Sequence, residues 1–304
     1  MGKKELVYLM VDTAFYFYRI LAVVGVLSNL VAIVTLSRGR CGLSKGVTWY
    51  LLAMAVADLL VVIFNVILKK IIFIFYSPEC KIIDAMGYIS IACSVWLTVA
   101  FTLDRTVAIC FQRLKIRYCT EKGAAIVIAV VSVLGVLTNI PWPFRYEARK
   151  CLESYHFQIL TVWEAFYWGH QLLTPVVPFM RILALNAVTV SHIIRASTVR
   201  RKLRGQQNGV EKDDQEMRNR RRSIILLFTI PASFILFWMT QVASLTIQRI
   251  KGSYSVLRGY YFIPGTTGTM LQLFSSCTNM FIYAITQRKF REEMDGSMIL
   301  DPQV

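Results

Sequence analysis

The run from Cys80 to Cys110, CKIIDAMGYISIACSVWLTVAFTLDRTVAIC, constrains this chain most. Between Lys81 and Arg105 it is almost wholly apolar, with Asp84 charged near its start and Asp104-Arg105 near its end. As a helix rising ~1.5 Å per residue it would separate Cys80 from Arg105 by ~38 Å, enough to cross a hydrocarbon core of ~30 Å. The cysteine therefore belongs at one membrane face and the Asp-Arg pair at the other. Six further apolar stretches surround this one, and 56% of the residues are hydrophobic. The mean hydropathy is +0.52, beyond what a soluble domain usually reaches. The expected fold is an all-α membrane protein, a seven-transmembrane helix bundle closed by a short amphipathic eighth helix.

The spans are expected near residues 15–37, 46–70, 80–105, 122–141, 161–194, 222–248 and 263–286. Residues 1–14 then form an extracellular N-terminus, 15–286 the bundle, and 287–304 helix eight with a short cytoplasmic tail. The net charge of +16 would suggest nucleic acid in a soluble protein. Here the Lys and Arg residues concentrate in the loops after spans one, three and five and in the tail, as cytoplasmic loops do. The N-terminus is thus expected outside and the protein in the plasma membrane, with no nucleic-acid partner. Seven cysteines without close pairs do not make a zinc site. The first residues lack a signal-peptide pattern, and Leu6 stands where myristoylation favours Ser or Thr.

Polar residues inside the spans mark functional sites. Asp58 lies mid-way along span two, and Asn29 and Ser94 fall at a similar depth in spans one and three. Lys69 and Lys70 are expected to snorkel to the outer interface. Arg181, one turn past Pro178, has two open readings: a snorkelling arginine at the lipid face, or half of an ion pair inside the bundle.

These landmarks together resemble the rhodopsin-like (class A) G-protein-coupled receptors. Cys80 with Asp104-Arg105-Thr106 is similar to the third span of that family, whose triplet is Asp-Arg-Tyr. The run Leu52-Ala53-Met54-Ala55-Val56-Ala57-Asp58-Leu59 resembles its span-two signature, and Gly25 to Val31 its span-one asparagine segment. Phe237-Trp238-Met239-Thr240 is similar to Cys-Trp-x-Pro, and Asn279-Met280-Phe281-Ile282-Tyr283 to Asn-Pro-x-x-Tyr. Thr106, Asn186, Thr240 and Met280 depart from the family's switch residues, and the usual span-four tryptophan is absent.

The resemblance implies a polar core of Asn29, Asp58, Ser94, Ser275 and Asn279, with sodium as an allosteric ion at Asp58 and no cofactor. It implies a coupling switch of Asp104, Arg105 and Tyr283, and a disulfide between Cys80 and Cys151. In the family a span-one asparagine bonds toward span two, with plain packing as the other reading of Asn29. Offsets from the landmarks give a ligand pocket of Gly87, Tyr88, Ile91, His170, Gln171, Thr174, Trp238, Gln241, Thr269 and Gln272. His170 reads equally as a packed polar residue. Gln287 to Glu293 reads as helix eight, with Phe290 facing the bilayer.

Gly87 replaces the carboxylate that amine receptors need, and span seven lacks the lysine of opsins. The likeness is strongest to an orphan branch associated with aromatic amino acids and short peptides. Its features here are Ser94 to Val99, Thr102 to Arg105, and Trp168-x-His170 before Val177-Pro178. The expected function is transduction of a small-molecule or short-peptide signal to a heterotrimeric G protein, the phospholipase-C-coupled class among the candidates. Two alternatives stand beside it: a receptor-like protein that binds ligand without coupling, and a transporter using Asp58 and Arg181. No hydrolase or metal-site motif points to an enzyme.

Overall fold

The computed structural model describes residues 3–39, 41–72, 79–146, 161–204, 229, 232–233, 235–247, 258–286 and 290–294. Span one is Lys3–Ser37, so its helix begins twelve residues ahead of the expected start at Phe15. Span two is Lys45–Val61, continued as a wider π turn over Val62–Ile71. Span three is Cys80–Cys110 and span four Glu121–Asn139. Span five begins as Thr161–Gln171, passes through a π turn at Leu172–Val176, and resumes as Val177–Arg204. Span six is described over Ile235–Ile247 and span seven over Arg258–Thr286. A short helix that the hydropathy did not predict, Gln112–Tyr118, follows span three. Five of these helices are long and apolar enough to cross a membrane.

Span one packs on spans two and seven; span three packs on spans two, four and five. Lipid removes the hydrophobic drive between helices, so close packing and interhelical hydrogen bonds carry association. Gly25 shows the first of these. A Cβ there would sit 2.7 Å from Cys277 Sγ and 2.8 Å from Val62 Cγ2, so its missing side chain lets spans one, two and seven touch. Span one turns Tyr16, Ile20, Val23 and Leu27 outward and buries Tyr18, Leu21 and Ala22.

Leu36, Tyr50, Met54, Phe101, Tyr283 and Phe290 form one apolar cluster toward the Asp104 end. Phe290 corrects the expectation. It is 1% exposed, and its ring lies 5.8 Å from that of Tyr283, so it faces the bundle and not the bilayer. The segment 290–294 docks on the end of span seven, where Arg291 Nη1 donates to the carbonyl of Ala284 at 2.7 Å. Cys151, Pro231, Gln287 to Lys289 and most of the basic loop before span six lie outside the described residues.

Candidate ligand cavity and polar core

A carboxylate buried among helices needs partners, and Asp58 has them on two sides. Ser94 Oγ donates to its Oδ1 at 2.6 Å, and Asn279 Nδ2 donates to its Oδ2 at 2.6 Å. Asp58 is 1% exposed, so spans two, three and seven meet at one charged residue. A small space of about 20 Å³ adjoins it, lined also by Thr98, Ser275, Ser276 and Trp238. Ser275 Oγ accepts from Trp238 Nε1 at 3.3 Å and donates to the carbonyl of Gln272 at 2.6 Å.

Asn29 belongs to a different joint. Its Nδ2 donates to the carbonyls of Gly25 and Ser276, each at 2.9 Å. In place of the expected bond toward span two, Asn29 bonds to span seven.

Nearer the Cys80 end opens a cavity of about 310 Å³. Its lining holds Tyr88, Ile91, His170, Gln171, Thr174, Trp238, Gln241, Thr269 and Gln272, every predicted pocket residue except Gly87. Gly87 faces span two instead. A Cβ there would come 2.6 Å from Asn65 Oδ1, and Asn65 Nδ2 donates to the Gly87 carbonyl at 3.2 Å. His170 is both exposed to the cavity and packed against polar neighbours. It lines the cavity, and its Nε2 also lies 3.2 Å from Asn139 Oδ1 and 3.2 Å from Thr174 Oγ1. Thr269 Oγ1 donates to Gln241 Oε1 at 3.3 Å, tying span seven to span six across the lining.

Several lining residues escaped the sequence reading. Lys69 and Lys70 line the cavity. Both lie within the π turn over Val62–Ile71, where Ile72 N–H bonds to the carbonyl of Ile67, five residues back, and the wider turn re-phases the helix face. Trp142 stacks on Tyr88 with ring centres 3.9 Å apart and packs edge-on to Phe166, Tyr167 and His170. Asp84 pairs with Lys69 and with Arg145, the latter at 3.2 Å, and accepts from the Tyr146 hydroxyl at 2.8 Å. Burial, then the Asp84 charge, holds the Tyr146 phenol above its ordinary range, so it remains a donor.

At the far end of span three, Arg105 Nη2 lies 2.5 Å and its Nε 3.2 Å from Asp104 Oδ2. Thr106 is a small tie between helices: Thr189 Oγ1 of span five donates to it at 3.0 Å. Tyr283 is 1% exposed, with its hydroxyl unpartnered, and the Asn186 side-chain oxygen is likewise buried without a partner. Arg181 is exposed on the outer face of span five, with no ion pair among the described residues, which favours the lipid-facing reading. Cys80 is disulfide-bonded, and Cys41, Cys93, Cys110, Cys119 and Cys277 are free.

The family model of the 7 transmembrane receptor (rhodopsin family) matches residues 28–283, from span one to Tyr283. The chain belongs to that family. This receptor is similar to the "FMRFamide receptor" of Drosophila melanogaster, 22% identical over 301 residues, which cover 90% of this chain and 51% of that protein. It is similar also to "Cysteinyl leukotriene receptor 1" of Sus scrofa, 23% identical over 267 residues, 80% of this chain and 72% of that one. The receptor thus spans about half the length of the first relative. Family and relatives are receptors and not enzymes.

Proposed function

We propose that this receptor sits in the plasma membrane with its N-terminus outside, takes a small extracellular ligand in the 310 Å³ cavity, and signals to a heterotrimeric G protein. One observation supports this above the others: Trp238, with Ile91, Gln272 and Leu273, lines both the ligand-sized cavity and the space beside Asp58. A ligand pressing on that wall changes the environment of the polar core directly. Spans two, three and seven are joined there, so the disturbance reaches the Asp104 end through rigid helices.

In the resting arrangement Asp104 holds Arg105. A ligand that binds better to a state with span six displaced shifts the population toward it. Arg105 is then released toward the G protein, and the basic cytoplasmic loops attract its acidic surfaces. The Asp58 carboxylate with the hydroxyls of Ser94, Ser275 and Ser276 is an oxygen donor set that suits a hard cation, and the space fits about one water-sized occupant. These residues would hold sodium, which supplies a positive charge there. The Cys80 disulfide is proposed to reach Cys151 and to pin the loop beside the cavity.

An aromatic amino acid or a short peptide is the favoured ligand class, since Tyr88, Trp142, Tyr167, Trp168 and Trp238 all line the cavity. The G protein is taken as phospholipase-C-coupled from the resemblance alone. A non-coupling receptor is the second reading, favoured by the Thr106–Thr189 tie that links spans three and five. The test is activation of a G-protein panel in cells expressing the wild type beside Arg105→Ala. Signal lost in the variant at equal surface expression supports coupling; full signalling by Arg105→Ala overturns the role of that residue.

A further inference from the structure

The ligand cavity has an uneven charge. Lys69 and Lys70 are in its lining, and none of the described lining residues is Asp or Glu. Lys69 already shares Asp84 with Arg145, two cations on one carboxylate. Lys70 has no carboxylate partner among the described residues; its ammonium lies 5.6 Å from the centre of the Tyr18 ring. Gln171 adds a lining donor, its Nε2 buried without an acceptor. Beside these donors stand broad apolar faces: Lys69 Nζ lies 5.5 Å from the Tyr88 ring centre, and Tyr88 is stacked on Trp142. A half-buried ammonium without a counter-ion is costly, and an anion in the same cavity would remove that cost.

We propose that the cavity selects small organic carboxylates, with the anionic group set against Lys70 and the apolar body on the Tyr88–Trp142 wall. This rests on the ligand-cavity reading above. It refines it, since a free amine or an uncharged amide would meet the same wall without a countercharge. At about 310 Å³ the cavity is at the small end for ligand sites, which favours an amino-acid-sized or short acyl molecule.

The experiment is equilibrium binding to the full-length receptor in lipid nanodiscs with two matched probe pairs. The first is N-acetyl-L-tryptophan against N-acetyl-L-tryptophanamide; the second is octanoate against octanamide. At least one acid is expected to bind about ten-fold more tightly than its amide, about 1.4 kcal/mol. Preference in the first pair assigns an amino-acid or peptide carboxylate, and in the second an acyl carboxylate. Lys70→Gln is expected to abolish the preference and Lys70→Arg to retain it. Absence of binding by both acids, equal binding of acid and amide, or an undiminished preference in Lys70→Gln each overturns the proposal. No G protein is present in this assay, so its failure leaves the coupling reading intact. Failure of the Arg105→Ala test likewise leaves the anion site intact.

Discussion

Asp84→Asn removes a negative charge from a point that two cations share. The Asp84 carboxylate is 4% exposed and holds Lys69, Arg145 and the Tyr146 hydroxyl. An amide still accepts from Tyr146, so that bond survives the change. The loss is the charge that lets Lys69 and Arg145 lie together. The Lys69 side chain is 30% exposed and that of Arg145 is 11% exposed, so water screens the first pair more and the second dominates. Stranding a buried charge costs about 3–5 kcal/mol, and the exposure of Lys69 argues for the lower end. With an unfolding entropy of about 2.1 cal/mol/K per residue over 304 residues, 3 kcal/mol lowers Tm by about 5 °C. Cys41 and Cys277 are buried free thiols, so a thiol-reactive fluorophore reads the melt as they become accessible. Adding Lys69→Met to Asp84→Asn removes one stranded cation and is expected to recover part of the loss. A fall under about 1 °C for the single variant refutes the reasoning. A double variant as unstable as the two single losses summed refutes it equally.

Phe290→Ala is expected to cost about 3–5 kcal/mol, because it empties a space beside Tyr283; the same melt would hardly move if Phe290 faced lipid. Asn29→Ala loses two buried bonds and leaves the Ser276 carbonyl without this donor, an expected cost of about 1–3 kcal/mol in the same assay. Burial, then the Asp104 charge, pushes the Cys119 thiol up to about 11. Iodoacetamide is therefore expected to alkylate Cys119 more slowly than free cysteine at pH 8, with the rate rising toward pH 11 as thiolate forms. Mass spectrometry of the labelled peptide measures it, and equal rates at pH 8 would contradict the burial.

Much of the fold was legible because the bilayer demands long apolar helices, and a helix cannot hide that demand. The cavity lining was legible for a related reason: once a landmark fixes a helix face, its neighbours at three- and four-residue offsets follow. Tyr88 with Ile91, and His170 with Gln171 and Thr174, obey that geometry. Lys69 and Lys70 did not, because the π turn over Val62–Ile71 changes the phase without changing the hydropathy. The Asp84–Arg145 pair joins positions 61 residues apart, and no local pattern announces such a partner. Phe290 misled because an amphipathic segment at a membrane has two neighbours, lipid and protein, and composition cannot say which takes the apolar side. Gly87 was placed on the right helix but one face away, where only the absence of a side chain lets Asn65 approach.

The wall that contains Trp238 has a thermodynamic corollary. Two compartments that share Ile91, Trp238, Gln272 and Leu273 cannot be filled independently when occupation of one moves those side chains. If an occupant beside Asp58 weakens binding in the larger compartment by some factor, binding there must weaken the occupant by the same factor. That reciprocity requires no knowledge of either molecule. Titrating the receptor with salt at fixed ligand, and with ligand at fixed salt, should therefore return one coupling constant from two separate experiments.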